Sequence, residues 1–285
     1  MESSGAGGIE VTCRTLCAAV VLILVASTFP VVAYGQGIQI ETAPQVVREA
    51  IRQGEINTFQ IEVTNTGAVP VKVVAEVVDL AIDEYGYNVE VPERAGYVWG
   101  LQEMTKVSPE EFLLNPGEMQ IAEVAIDAPK PLSGGRYGIV YFAASDKSAK
   151  GRIIMVVRCG SLLFATVPGT EMYSGRVKDI RLIQSEDSRP GYFGGFDVIF
   201  ENTGNVHVSA TGQIEVSNGK STVLKTALRG GTGTVLPGGT RVYRAELGEA
   251  IPDGDYQVTV EFEFEGNRVS EQKVLSVKGG QACLE

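Results

Sequence analysis

A single histidine, His207, stands in 285 residues, and most hydrolytic or metal chemistry would have to pass through it. A His-Glu-x-x-His zinc site needs two histidines, and none of Cys13, Cys17, Cys159 and Cys283 forms a Cys-x-x-Cys pair. No Gly-x-Ser-x-Gly elbow is present, and Gly230-Gly-Thr-Gly-Thr234 runs into Pro-Gly-Gly and a strand pattern instead of a phosphate-cradling helix. Asp79, Asp83 and Glu84 gather the oxygen ligands a hard cation prefers, without the Asp-x-Asp-x-Asp-Gly order of a calcium loop. The expectation is a protein with no catalytic residue, no metal and no cofactor, hence not an enzyme.

Three other groupings are suited to binding. Tyr85, Tyr87, Tyr97 and Trp99 concentrate aromatic side chains that could stack on a sugar or mark a protein contact, or else pack over a sheet edge. The run Ile153, Ile154, Met155, Val156, Val157, closed by Arg158, is apolar at both parities, so a strand there must be covered on both faces. If it is the last strand of its domain it lies at a sheet edge, either sealed by the neighbouring domain or offered to a partner strand. Cys159 and Cys283 could bridge that strand to the C-terminal tail in an oxidising compartment.

The elements that position these groups come from a repeat. Phe59-Gln-Ile-Glu-Val-Thr-Asn-Thr-Gly-Ala-Val-Pro-Val71 returns as Phe196-Asp-Val-Ile-Phe-Glu-Asn-Thr-Gly-Asn-Val-His-Val208. In both, apolar residues alternate, Asn-Thr-Gly interrupts, and alternation resumes, which predicts strand, turn, strand. His207 takes the place of Pro70, a solvent-facing strand position. Pro116-Gly117 is echoed by Pro237-Gly238, and the first copy is about 16 residues longer between its turns, an insertion that contains the four aromatics. No 3.6-residue periodicity persists over a helix length, and turn residues recur between short runs rich in Val, Ile, Thr, Tyr and Phe. The fold class is therefore all-β: two tandem immunoglobulin-like antiparallel β-sandwiches, over 36–168 and 169–278, with a flexible tail at 279–285.

Residues 1–35 read as a targeting segment: Arg14, an apolar stretch from Leu16, and Ala33-Tyr-Gly35 as a small-x-small cleavage site, with an uncleaved membrane anchor as the alternative. Either way the folded part is exported, to the periplasm or the cell surface. The net charge of −11 repels nucleic acid and anionic lipid, so the expected partner is another extracytoplasmic protein or a cell-wall glycan.

Four stretches, Thr58–Asn65, Val107–Gln120, Arg136–Phe142 and Phe196–Val208, together resemble the periplasmic pilus chaperones, the PapD-like proteins, and more weakly the WxL-interacting surface proteins. The resemblance implies two immunoglobulin-like domains at an angle and a last strand of the first domain, here 152–164, that lends alternate apolar residues to an incomplete fibre subunit. The donated set would be Ile153, Met155 and Val157, or Ile154 and Val156. The resemblance also implies a basic pair that grips the subunit's terminal carboxylate, with Arg158 as one member and Arg48 or Arg52 nearby. The alternative function is a surface adhesion or scaffold module that uses the aromatic insertion.

Overall fold

A computed structural model describes residues 37–91, 96–146, 155–184, 190–231 and 233–285. The leader lies outside these residues, as do Ile153 and Ile154 of the proposed binding strand. Among the described residues no helix is long and apolar enough to cross a membrane.

The first half is a sandwich of two sheets. One carries β1 (Ile40–Ala43), β3 (Ile56–Asn65), β8 (Met119–Asp127) and β6 (Thr105–Ser108), in the order β1-β3-β8-β6. The other carries β2 (Val46–Ala50), β10 (Val156–Val167), β9 (Gly134–Asp146), β4 (Val71–Ile82) and β5 (Asn88–Val91), in the order β2-β10-β9-β4-β5, with β7 (Glu111–Leu114) also on β4. Alternation along β3 turns Ile61 and Val63 inward to meet Val71, Val73, Val124 and Phe142 in one buried cluster. Each such side chain contributes about 1.5–3 kcal/mol on leaving water.

The second half repeats the plan. Its sheets are β11 (Gly175–Ile183), β12 (Gly195–Asn202) and β17 (Thr240–Glu246), facing β15 (Thr222–Ala227), β14 (Thr211–Ser217), β18 (Gly254–Phe264), β19 (Asn267–Lys278) and β20 (Gln281–Leu284). A short ribbon pairs β13 (Val208–Ser209) with β16 (Thr234–Val235). Phe196, Phe200, Tyr243 and Phe262 fill this second core.

The repeated Asn-Thr-Gly has a structural reason. Asn65 and Asn202 are both fully buried, and each bridges its own turn to the strand that precedes the Pro-Gly corner. A Cβ on Gly67 would come within 2.4 Å of the Gly37 carbonyl, and one on Gly204 within 2.1 Å of the Met172 carbonyl, so only glycine fits where the incoming chain crosses.

One expectation needs correction. The tail does not hang free: Gly279 and Gly280, at φ +59° and +78°, turn the chain so that β20 pairs with β19, Leu284 opposite Leu275. Ala282 and Leu284 alternate against the second core, a period too short to stand out in a Gly- and Gln-rich end. The sandwiches are antiparallel as expected, with one parallel pair between named strands, β2 on β10 with Val46 opposite Leu162.

Candidate functional site: the open half of strand β10

The chain enters the first sandwich on β1 in one sheet and changes to the other sheet at Pro44. Proline has no N–H to continue the β1 ladder, and the Pro44 carbonyl instead accepts from Ser161 Oγ at 2.7 Å. Gln45 then accepts from the Leu162 N–H at 2.9 Å, and β2 runs beside β10 from Leu162 to Thr166. Among the described residues, the edge expected for the whole strand is therefore only half open. Beyond the switch, β10 keeps β9 on one side, from Val156 opposite Ser145 onward.

Backbone groups alternate sides along a strand. Because Leu162 bonds toward β2, Gly160, Arg158 and Val156 aim their N–H and C=O groups the same way, while Val157 and Cys159 bond β9. The Gly160 carbonyl receives the Thr42 hydroxyl at 3.5 Å. No described strand covers the groups of Arg158 and Val156. Side chains alternate as well: Val157 and Cys159 share the core-facing parity of Leu163 and Ala165, and Val156 and Arg158 face outward. Val156 is 53% exposed and Met155, just before the strand, 67%.

Arg158 does not serve the open side. Its guanidinium reaches back across the sheet, 3.9 Å from the centre of the Tyr141 ring, to Glu76 at 3.0 Å and Glu90 at 3.1 Å. Its implied basic partner is not beside it. Arg48 stands opposite Phe164 in the register, six positions along, or about 20 Å at strand spacing, and its guanidinium lies 5.2 Å over the Phe164 ring. Arg52 is paired with Glu55. The structure does not bring a carboxylate-gripping pair together from these residues, because β2 places Arg48 at the far end of β10.

The aromatic insertion divides in two. Tyr85 and Tyr87 are exposed on the β4–β5 hairpin, with both backbone N–H groups on Asp83 Oδ1 at 2.9 and 2.8 Å. Tyr97 and Trp99 are half-buried at the junction of the two sandwiches. Burial, with Asp79 adding, pushes the Tyr97 hydroxyl up to about 12. The Trp99 carbonyl accepts from the Tyr137 N–H at 2.7 Å, and the Arg136 guanidinium lies 5.4 Å over its ring. Burial therefore separates the four rings into an exposed pair on the hairpin and a half-buried pair at the junction. Asp79 and Asp83 brace loops, and no group of three candidate metal ligands occurs among the described residues.

Cys159 and Cys283 are both free. Cys159 lies 3.4 Å from the Thr42 hydroxyl in the first sandwich, whereas Cys283 is exposed opposite Ser276 in the second. The proposed bridge fails because the tail is committed to β19.

His207 is likewise not on a solvent-facing strand. It packs edge-on against Phe164 and Tyr137, with ring centres 5.1 and 5.7 Å apart, and its backbone N–H donates to the Tyr137 hydroxyl at 2.6 Å. Burial, then Arg48, lowers its pKa. The outward parity of Leu162 and Phe164 was the available signal for this domain junction.

No family model matches the chain, and no curated protein is a significant match. Among solved structures, the chain is similar to fimbrial chaperones at low identity. The class 5 fimbriae chaperone CfaA is 13% identical, with 87% of this chain and 98% of that one covered and a TM-score of 0.43. A chaperone–tip adhesin complex of CFA/I fimbriae biogenesis is 14% identical, covering 79% and 93%, TM-score 0.43. The Pseudomonas aeruginosa CupB2 chaperone is 14% identical, covering 83% and 98%, TM-score 0.39.

Proposed function

We propose that this protein is a non-enzymatic, exported binding protein that takes a strand of another extracytoplasmic protein onto the open half of β10, as an assembly chaperone for surface fibres. The observation that carries the reading is the side of Val156 and Arg158 that no described strand covers, flanked by the exposed side chains of Met155 and Val156. An uncovered, partly apolar strand edge is a template for β-augmentation: backbone groups supply affinity and alternate side chains supply register. One device that keeps an edge from pairing is a charged side chain placed on it. Here the one charged residue of β10 itself, Arg158, is drawn away over Tyr141 to Glu76 and Glu90.

Backbone parity provides the test. Val156→Pro removes an N–H that faces the open side, at the first residue of a strand, where proline is tolerated. Val157→Pro removes one that bonds β9. Tagged protein isolated from the host envelope should retain a bound fibre subunit, identified by mass spectrometry. Recovery should fall roughly tenfold in Val156→Pro with the fold intact, matching the loss of one or two hydrogen bonds. Val157→Pro should instead lower stability by about 1–3 kcal/mol. Undiminished subunit recovery by a folded Val156→Pro protein sinks the reading.

A further inference from the structure

The longer first copy places its extra residues against the second domain. At the tip of the β4–β5 hairpin, Asp83 and Gly86 close a turn, with Gly86 N–H on the Asp83 carbonyl at 3.0 Å and Asp83 N–H on the Tyr87 carbonyl at 2.9 Å. The tip is thus shaped by its own bonds. It then crosses the junction: the Glu84 carbonyl accepts from the Val242 N–H of β17 at 2.8 Å. Val242 bonds outward there for the same reason that Arg244, two residues on, donates to Arg229 and not to β12.

Gly86 lies flat against the guanidinium of Arg241, a side chain only 3% exposed. A Cβ at Gly86 would stand 2.2 Å from Arg241 Nη2, and φ there is +92°, so glycine is required on two grounds. Arg241 is otherwise held by the Gly230 and Thr234 carbonyls, at 2.7 and 3.3 Å. The insertion's other end makes a second contact. Trp99 packs on the cluster that joins Leu80 and Phe164 of the first half to Leu236 of the second, beside Gly238.

We infer that the insertion is an interdomain strap: the hairpin tip on β17 and Trp99 on Leu236 fix the angle between the sandwiches, which the linker after Val167 does not fix alone. Near that linker the domains also meet through Gly135 N–H on the Asn205 carbonyl, at 2.8 Å, and through Tyr137 on His207. Contacts at one place leave a swivel. The strap adds Trp99 beside that place and, on the β4–β5 hairpin, a separate contact with β17, and removes the swivel. It also accounts for the exposed Tyr85 and Tyr87, which flank a tip whose backbone, not its rings, does the holding. This inference does not depend on what binds β10.

The test uses the intact protein and two variants, Val242→Pro, which takes only the bond to Glu84, and Val242→Pro combined with Trp99→Ala. Backbone 15N relaxation should give one tumbling time for both halves of the unaltered protein and two distinct times for the double variant. Exchange of the Gly135 and His207 amides, whose N–H groups bond across the junction, should rise about tenfold as it opens more often. If the double variant does not fold, Val242→Pro is read by the same exchange measurement, with a smaller rise in the same direction. A folded variant that tumbles as one body, with Gly135 and His207 exchanging as before, overturns the inference.

Discussion

Asn65 and Asn202 make the same set of bonds in two different domains. Asn65 Nδ2 donates to the carbonyls of Val69 and Leu114, at 2.9 and 3.1 Å, and its Oδ1 accepts from the Gly67 N–H at 3.0 Å. Asn202 Nδ2 donates to Val206 and Val235, at 2.9 and 2.8 Å, and its Oδ1 accepts from Gly204 at 2.9 Å. Their carbonyls accept from Gly117 and Gly238. One amide therefore ties the Asn-Thr-Gly turn to the Pro-Gly corner in each copy.

Replacing either asparagine by alanine leaves two carbonyls and one N–H without their partner inside the protein, at about 1–3 kcal/mol each. Asn65→Ala and Asn202→Ala should each lower stability by at least about 3 kcal/mol in denaturant titrations. A loss below about 1 kcal/mol in either would show that the bridge is incidental. Asn→Asp should be no rescue, because a carboxylate cannot donate to the two carbonyls.

His207 makes the domain junction sensitive to acid. Burial beside Phe164 and Tyr137, with Arg48 near, lowers its pKa below the ordinary 6.5. The unfolded chain thus binds a proton more readily than the folded one. Stability attributable to His207 is full above pH 6.5 and is lost as pH falls toward the lower folded value. Thermal midpoints taken from pH 8 down to 5 should decline more steeply for the unaltered protein than for His207→Gln. Parallel pH profiles would contradict this account.

The two described thiols should react independently. Cys283 is exposed on β20 and Cys159 half-buried beside Thr42, so a maleimide should modify Cys283 first and Cys159 only slowly, with or without reductant. Labelling that appears only after reduction would place the two sulfurs in a bond and the tail away from β19.

The local pattern of the chain carried much of this architecture. Alternation around Phe59 and Phe196 marked strands, and Asn-Thr-Gly and Pro-Gly marked turns, because both signals arise between residues a few positions apart. The same alternation assigned Val157 and Arg158 to opposite faces of β10. It could not reveal that Arg158 is tied back to Glu76 and Glu90, which sit on strands 82 and 68 residues earlier.

By itself the sequence determined two similar β-sandwiches and the alternation of faces along their strands, since a period of two and a glycine turn depend on local sterics alone. The tertiary structure decided which half of β10 is open, because β2 arrives from the opposite sheet after Pro44. It also decided where Trp99 and the hairpin tip make contact, that His207 packs at the domain junction, and that Cys159 and Cys283 sit in different sandwiches. Those are distances between segments remote in the chain, and no local periodicity encodes them.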